Sequence, residues 1–340
     1  MGFPRARTLQ TLNGKTLNAA VLGLGWWGSK VLRNFCENSS FSNVFAFDKD
    51  PERIHQALSQ WRFQPLDSLE NALEGKDIHA VAVVTPPETH FELVRQALDR
   101  GKHVMVAKPP AQTVREVEEL CALAQNKDVV FMVDSTFVYN PATLTVRQLV
   151  EDGLLPNLRF VQSVRHGDDL RFHNLQRILD LIRISGTDVI EDLAFHDISV
   201  LRVILGESSR VRSVRRIHIL DPNLCDTAFI ELDLQGVPVH ISYSWSLPDR
   251  RRQLLLYDDE KFLLFDDLKK EKKIEIYRLA TKESEFPEYP QAEPLHEVVE
   301  HFHTSIVGNQ EPLTGKEFML DVMRTLEQIR QFDSYGGSPA

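Results

Sequence analysis

The chain has 340 residues, of which 42% are hydrophobic and 26% are charged, and its formal net charge is −10 at pH 7. This length predicts two domains, and the composition is typical of a globular protein. The acidic balance argues against nucleic-acid binding, and no stretch approaches the roughly 20 apolar residues of a membrane span. Residues 1–15 contain no long apolar stretch, so we expect a polar lead-in rather than a secretory signal. Cys36, Cys121 and Cys225 lie far apart, form no disulfide or zinc pattern, and predict a reducing, cytoplasmic location.

The first predicted element is an apolar strand, Ala19–Leu22, that leads into a glycine-rich turn over residues 23–28 and then into a helix. Strand, glycine turn and helix in this order form a dinucleotide-binding fingerprint. The first glycine permits the tight turn, the second lets the backbone approach a pyrophosphate, and the third allows close helix packing. The same spacing also occurs in ordinary strand-to-helix turns. The cofactor-binding candidates in this turn are Gly23, Gly25, Trp26, Trp27 and Gly28.

Asp48 ends the second apolar run, Asn43–Phe47, about 20 residues after the last glycine of the turn. An acidic residue at this place accepts hydrogen bonds from the adenosine ribose of a dinucleotide. Its charge also repels a 2′-phosphate, so the sequence predicts NAD, with NADP as the alternative because Lys49 follows. Asp48 also fits a solvated strand end, since Asp50-Pro51 is typical of a helix start.

Helices and strands alternate over the rest of the first half. The predicted helices cover residues 51–60, 66–73, 88–99 and 114–124, and the predicted strands cover 78–84, 103–107 and 129–133. Such alternation predicts a doubly wound α/β (Rossmann) domain, whose ligands bind beyond the carboxyl ends of the strands. Thr85-Pro86 and Lys108 follow two of these strands, so we expect them at the same edge as Gly23 and Asp48.

The pattern changes after Asn140-Pro141, which starts a helix ending at Gly153. Short strands with few helices between them predict an open, mainly antiparallel sheet, so the second half is expected to be an α+β domain. The predicted strands are 160–164, 211–219, 228–234, 237–243, 254–257, 262–265 and 274–277. One helix, 188–205, is embedded among them, and helices 294–306 and 316–331 close the chain. The predicted divisions are a lead-in 1–17, a dinucleotide-binding domain 18–140, a substrate-binding and oligomerisation domain 141–334 and a tail 335–340, with the C-terminal helix returning to the first domain.

The embedded helix carries two candidate site residues. Asp192 and His196 are four residues apart, so their side chains project from one helix face. A carboxylate and an imidazole side by side can orient one another and transfer a proton near neutral pH. The same spacing also fits a purely structural pair near the helix start. Asp188 and Glu191 have the spacing of a capping box.

These residues together resemble a known family. The chain is similar to the glucose–fructose oxidoreductase / inositol dehydrogenase (Gfo/Idh/MocA) family of NAD(P)-dependent sugar oxidoreductases. The resemblance covers nearly all of the chain after the N-terminal tail. It rests on the glycine turn, Thr85-Pro86 with His90, residues 101–104 leading into Lys108-Pro109, and the segment 192–197. Residues 137–141, Ser244-Trp245 and the stretch from Asp266-Asp267 to Tyr277 resemble the subgroup that acts on nucleotide-linked sugars.

The resemblance implies roles for individual residues. Lys108 would lie between nicotinamide and substrate, with Asp192 and His196 beside it. His196 would accept the proton of the substrate hydroxyl, Lys108 would polarise that oxygen, and Asp192 would orient the sugar or the lysine. Thr85, Pro86 and His90 would join the cofactor site, and Tyr139 and Arg165 would line the sugar pocket, although either also fits ordinary packing. No metal is implied, and His301 and His303 point apart on a predicted helix.

Two positions depart from the family pattern, and they leave alternatives open. Ala107 stands where the family usually has Glu, and the glycine-rich segment before Asp192 is reduced to Gly186. Besides a sugar dehydrogenase or reductase, we therefore consider a lyase or hydrolase that oxidises its sugar transiently, and a dinucleotide-binding sensor without turnover. Arg250, Arg251 and Arg252 fit a solvated turn better than a diphosphate site. One apolar face of the sheet must be covered, so we expect a homo-oligomer, a dimer or a tetramer.

Overall fold

The structure is a computed structural model, and it describes residues 17–167, 187–206 and 209–332. The predicted lead-in up to residue 16, Gly186 and the predicted tail 335–340 lie outside the described residues. The chain divides into two compact units. Residues up to Asp134 join Leu295–Met319 in the first unit, and Ser135–Pro294 join the residues from Leu320 onward in the second. The domain limits 18–140 and 141–334 stay a prediction beside this division.

The first unit contains a six-stranded parallel sheet with helices between its strands. Its strands are β1 (Leu17–Leu22), β2 (Phe41–Phe47), β3 (Gln64–Pro65), β4 (Ala80–Val83), β5 (His103–Ala107) and β6 (Phe131–Asp134). Its helices are α1 (Trp26–Glu37), α2 (Pro51–Leu58), α3 (Leu69–Glu74), α4 (His90–Asp99) and α5 (Val114–Lys127). The strand order is β3-β2-β1-β4-β5-β6. All four residues of β4 are buried, as expected for a parallel strand covered on both faces, and the predicted doubly wound sheet is confirmed.

Element boundaries in the first unit differ from the prediction in three places. Strand β3 lies in a stretch predicted to be a connector, and β4 is shorter than the predicted strand 78–84. Helix α3 begins at Leu69 rather than at Leu66. The reason is a side-chain cap, because Ser68 accepts a hydrogen bond from the Asn71 backbone N–H at 3.3 Å.

A late segment of the chain completes the first unit. Helix α8 (Pro294–Gly308) begins this segment, and Thr314 follows it. The Val133 N–H donates to the Thr314 carbonyl at 3.1 Å, and the Thr314 hydroxyl donates to the Val133 carbonyl at 2.7 Å. The edge strand β6 is therefore paired by residues far along the chain. The C-terminal helix is expected to return to the first unit. Residues 316–319 of the final helix, α9 (Lys316–Gln331), do belong to it, whereas the rest of α9 belongs to the second unit.

The second unit is built on an eight-stranded sheet. Its strands are β7 (Phe160–His166), β8 (Arg210–Ile217), β9 (Thr227–Leu234), β10 (Val237–Ser244), β11 (Arg251–Tyr257), β12 (Lys261–Asp266), β13 (Ile274–Arg278) and β14 (Glu283–Glu285). They lie in the order β14-β13-β12-β11-β7-β10-β9-β8. Neighbouring strands are antiparallel except for β7 and β10, which are parallel. The predicted mainly antiparallel sheet is confirmed.

Helices α6 (Pro141–Glu151) and α7 (Val189–Leu205) pack within the second unit. Helix α6 packs against α7, and α7 packs on strands β9 and β10. Asn140 caps α6 by accepting from the Ala142 N–H at 3.0 Å, as its Asn-Pro start predicts. Among the described helices, none is both long and apolar enough to span a membrane.

One face of this sheet carries a row of aromatic side chains. Phe160, Tyr257, Phe262 and Tyr277 are direct cross-strand partners on β7, β11, β12 and β13. Their successive ring centroids are 6.0, 5.9 and 5.2 Å apart. All four side chains are half-buried, whereas one neighbour of each on the opposite face is buried, namely Val161, Leu256, Leu263 and Ile276. This row is called the aromatic row below.

Candidate active site

The glycine turn of the first unit has no room for side chains at two of its positions. Gly23 has φ +93°, and its N–H donates to the Phe47 carbonyl at 2.8 Å. A Cβ there would lie 2.5 Å from the Val84 carbonyl oxygen, and a Cβ on Gly28 would overlap the carbonyl oxygen of Gly23. The turn and the first turn of α1 are therefore packed against each other and against the end of β4.

Gly25 differs from Gly23 and Gly28 because a side chain at its position would face open space. The nearest atom to a Cβ placed there would be Nη1 of Arg53, 4.0 Å away. Gly25 is also the N-cap of α1, and no side chain caps this helix. The N-terminus of a helix binds phosphate through backbone N–H groups and its partial positive charge. This position therefore fits the pyrophosphate of a dinucleotide.

Asp48 lies directly beside this turn. It is 9% exposed, and its carboxylate accepts from the Leu24 N–H at 2.6 Å and from the Asp50 N–H at 2.9 Å. Nη1 of Arg53 lies 3.5 Å from the same carboxylate. The alternative of a fully solvated strand end is wrong, because the side chain is nearly buried and ties the ends of β1 and β2 together. The Asp48 carboxylate is thus fixed beside the glycine turn, and Arg53 adds a cation next to it.

The ends of β4 and β5 are linked through one buried histidine. The ring nitrogens of His90 lie 2.8 Å from the Thr85 carbonyl and 2.7 Å from the Pro109 carbonyl. Burial lowers the pKa of His90, against the opposite effect of the two carbonyl groups. Its ring is 1% exposed, which suits a residue that holds two loops rather than one that touches a cofactor. The Lys108-Pro109 peptide is cis, and Lys108 is half-buried.

Trp27 spans the same edge of the sheet. Its indole Nε1 donates to the Asp134 carboxylate at 2.7 Å, which joins the start of α1 to the end of β6. Because β4 and β5 lie between β1 and β6, the indole bridges past their carboxyl ends. Sequence reasoning missed Asp134, although its place at the end of a buried strand was a usable signal. Trp26, by contrast, is 76% exposed, with the Lys30 ammonium 3.6 Å above its ring.

In the second unit, helix α7 exposes only a few side chains. Between Val189 and Leu201 the residues that are not buried are Glu191, Asp192 and His196. Glu191 is bound by Arg330 at 2.6 and 2.7 Å. The structure thus places Asp192 and His196 on one accessible face of an otherwise buried helix, as their spacing predicts.

The start of α7 is capped, although by only half of the predicted capping box. Asp188 accepts from the Ile190 and Glu191 N–H groups at 2.9 Å each. The Glu191 carboxylate pairs with Arg330 instead of reaching back to the cap. In the parts of the chain that the structure describes, no group of three or more potential metal ligands comes together.

The two predicted sugar-pocket residues are both buried. Tyr139 is 2% exposed and Arg165 is 5% exposed. The Arg165 guanidinium makes two bonds to Asp197, at 2.9 and 3.0 Å. Asp197 was not among the sequence-predicted residues, although it directly follows His196. Such a bidentate pair fixes the turn of α7 that carries His196 to strand β7.

The three consecutive arginines separate in the structure. Arg250 is exposed, and Arg251 pairs with Asp249 at 2.7 Å on the surface. Arg252 lies within β11 and pairs with Asp267 at 3.1 Å, with its side chain 22% exposed. The interpretation of the three arginines as a solvated turn therefore does not hold for Arg252. Strand β11 begins at Arg251, and the Arg252 side chain points toward Asp267.

The first unit thus has the architecture and the phosphate-binding turn of a dinucleotide-binding protein. Comparison with protein families agrees, since residues 17–135 match the oxidoreductase family with an NAD-binding Rossmann fold (GFO_IDH_MocA). Residues 143–263 match the GFO/IDH/MocA C-terminal domain. The chain belongs to the Gfo/Idh/MocA family of NAD(P)-dependent oxidoreductases.

Individual relatives include enzymes acting on nucleotide sugars. The chain is 24% identical over 253 residues to UDP-N-acetylglucosamine 3-dehydrogenase from Acidithiobacillus ferrooxidans. The aligned region covers 74% of each chain. It is 34% identical over 147 residues to an uncharacterized oxidoreductase of Synechocystis, sll0816, but spans only 40% of the length of that relative.

Solved structures have the same fold. The structure of the A. ferrooxidans dehydrogenase superposes with a TM-score of 0.79 at 22% identity and covers 93% of this chain and 97% of that one. A 3-ketoreductase from Actinomadura kijaniata, KijD10, solved with TDP-benzene and NADP, superposes with a TM-score of 0.78 at 16% identity, with coverage of 93% and 97%. At these identities the likeness demonstrates the fold alone.

Proposed function

We propose that the protein transfers a hydride between a nicotinamide and a hydroxyl or keto carbon of a sugar, with nucleotide-linked sugars as the favoured class. The observation that carries this proposal is helix α7, on which Asp192 and His196 remain accessible while nearly every neighbouring side chain is buried. A sensor without turnover needs no such pair. The relative that oxidises UDP-N-acetylglucosamine supports the choice of substrate class.

The proposed cofactor site uses the edge of the first unit. The open N-terminus of α1 at Gly25 would hold the pyrophosphate, and the Asp48 carboxylate would accept a bond from the adenosine ribose. When bound, the nicotinamide supplies the hydride acceptor or donor. Trp27 would border the cofactor, and Thr85 and Pro86 would line its path, with His90 holding their loop from behind.

The proposed chemistry divides into a hydride and a proton. As the hydride leaves the substrate carbon, His196 would accept the hydroxyl proton, at Nε2 because Nδ1 is buried. The Lys108 ammonium would stabilise the developing negative charge on that oxygen. Asp192, one helical turn before His196, would orient the sugar or the base. We assign Tyr139 and Arg165, which are buried, to the support of this pocket rather than to direct sugar contact.

Purified protein offers a direct test. NADH binding should produce energy transfer from tryptophan, and NAD⁺ with UDP-N-acetylglucosamine should produce NADH, whereas free N-acetylglucosamine should react poorly. Lys108→Ala and His196→Ala should each keep NADH binding but lose turnover by about 100-fold or more. Lys127→Ala, at an exposed lysine of α5, serves as the control and should behave as the wild type. Undiminished turnover in either site variant would remove that residue from the mechanism.

We also propose that the aromatic row is covered by a second copy of the chain. Four apolar rings aligned across four strands form a contiguous apolar surface of the kind that marks protein interfaces. Gel filtration of the wild type should give a dimer or a larger oligomer, and Tyr257→Asp should give monomer. Leu279→Asp, at an exposed leucine outside the row, is the matched control. A monomeric wild type would contradict the proposal.

A further inference from the structure

Phe137 contacts the proposed base and two arginines at once. Its ring centroid lies 4.8 Å from that of His196, at an interplanar angle of 70°. The guanidinium carbons of Arg165 and Arg252 lie 4.6 and 5.0 Å from the same centroid. All four residues belong to the second unit. Contacts of this kind, edge-to-face and cation–π, favour one orientation of the ring.

Each arginine is itself fixed by a carboxylate. Arg165, whose side chain is 6% exposed, binds Asp197 through two nitrogens. Arg252 binds Asp267 at 3.1 Å. Asp267 has two further partners, the Lys273 ammonium and the Asn140 side-chain amide, at 2.9 and 2.8 Å. The two cations that hold Phe137 are therefore positioned before any substrate arrives.

The space between these side chains is too small for a substrate group. Phe137, Arg165, Asp197, Arg252 and Asp267 line a cavity of about 20 Å³. A volume of this size holds about one water molecule, whereas ligand pockets measure hundreds of Å³. The two arginines are thus placed to act on Phe137 rather than to enclose a sugar or a diphosphate in this cavity.

We infer that Phe137 is a positioning residue for His196 and that Arg252, through its contact with the ring, keeps Phe137 in place. An imidazole on a helix surface can rotate about two side-chain bonds, and a neighbouring ring restricts that rotation. A general base acts only when its nitrogen lies within hydrogen-bond reach of the proton, and small misplacements cost large factors in rate. The inference rests on the proposed function of His196.

The principal test compares two phenylalanine–histidine pairs. Phe137→Leu should lower kcat about tenfold or more, with KM and NADH affinity unchanged, because orientation of the base matters in the transition state. Phe41→Leu is the matched control. Phe41 makes a similar edge contact with His303, at 5.5 Å and 75°, at the start of β2 in the first unit. The Phe41→Leu variant should lose about as much unfolding free energy as Phe137→Leu, measured in urea, but should keep kcat within about twofold of the wild type.

Two further variants keep the test decisive if Phe137→Leu folds poorly. Phe137→Tyr retains the aromatic ring and should restore most of kcat. Arg252→Met should fold, because Asp267 keeps its other two partners, and should lower kcat several-fold without changing KM. A rise in KM at unchanged kcat would overturn the inference and assign Arg252 to substrate binding.

A readout without turnover separates this inference from the proposed function. In NMR spectra of the free protein, the His196 ring signal, identified by its loss in His196→Ala, should move in Phe137→Leu and stay in Phe41→Leu. An unmoved signal, or equal kcat in the two leucine variants, would overturn the positioning role. If the wild type has no turnover but the signal moves, the proposed function fails while the contact between Phe137 and His196 stands.

Discussion

At the scale of single residues, we propose that Asp48 sets the preference between the two nicotinamide cofactors. Its carboxylate is held by the Leu24 and Asp50 N–H groups, and Arg53 stands 3.5 Å away. Asp48→Ala removes the negative charge and the ribose acceptor while leaving a cation that can meet a 2′-phosphate. We therefore expect the wild type to bind NADH more tightly than NADPH, and the variant to lose that preference or to reverse it.

Asp50 provides the control for that substitution. It lies two residues away and caps α2 by accepting from the Glu52 N–H at 3.0 Å. Asp50→Ala should cost about 1 kcal/mol of stability, as the loss of a helix cap does, without changing cofactor preference. Fluorescence titrations with NADH and NADPH measure both effects. Equal affinities in the wild type would refute the role given to Asp48.

At the scale of elements, His90 joins the loops that follow β4 and β5. Removal of its ring in His90→Ala takes away the contacts with the Thr85 and Pro109 carbonyls, next to Lys108. Loss of a buried hydrogen bond costs about 1–3 kcal/mol. We expect a drop of that size in unfolding free energy, together with a lower kcat, because the loop carrying Lys108 loses its support.

His103 offers a comparison at the opposite end of β5. Its Nδ1 accepts from the Val130 N–H at 3.0 Å, at the amino edge of the sheet and away from Lys108. His103→Ala should therefore cost similar stability in urea but leave kcat unchanged at neutral pH. If the two variants lost activity equally, the effect of His90 would be a general one on folding.

At the scale of the whole molecule, two half-buried histidines link stability to pH. His301 accepts from the Leu313 N–H through Nε2 at 3.0 Å, and His103 accepts from Val130. Burial lowers the pKa of His301 to about 4, and burial together with neighbouring His79 lowers that of His103 to about 4. Both pKa values in the folded protein lie below the value near 6.5 of a histidine in an unfolded chain. The two neutral histidines therefore contribute fully to stability above about pH 6.5, and this contribution is lost toward pH 4.

This linkage predicts that the free energy of unfolding falls by about 2 kcal/mol for each histidine between neutral pH and pH 5. Urea unfolding at a series of pH values measures it. His301→Gln should flatten the pH dependence, because the glutamine side chain can accept the Leu313 bond without titrating. His55→Gln, at an exposed histidine of α2, should leave the pH dependence of stability unchanged. Identical slopes for the two variants would contradict the prediction.

The sequence predicted what depends on local pattern and missed what depends on distant partners. The glycine turn, the buried parallel strands and the spacing of Asp192 and His196 follow from short-range rules, and the structure contains all three. The partners Asp134 and Asp197 bind groups 107 and 32 residues away, and no local period encodes such pairs. The parallel pairing of β7 with β10 was likewise hidden, because helix α7 and strands β8 and β9 lie between them in the chain.

The pairing of Val133 with Thr314 has a consequence for biosynthesis. The two residues are 181 positions apart, and a ribosome adds about 5–20 residues per second. The outer edge of the parallel sheet therefore waits roughly 10 to 40 seconds for its covering segment. An open strand edge is a template for intermolecular pairing, so this interval is when a nascent chain is most exposed to aggregation.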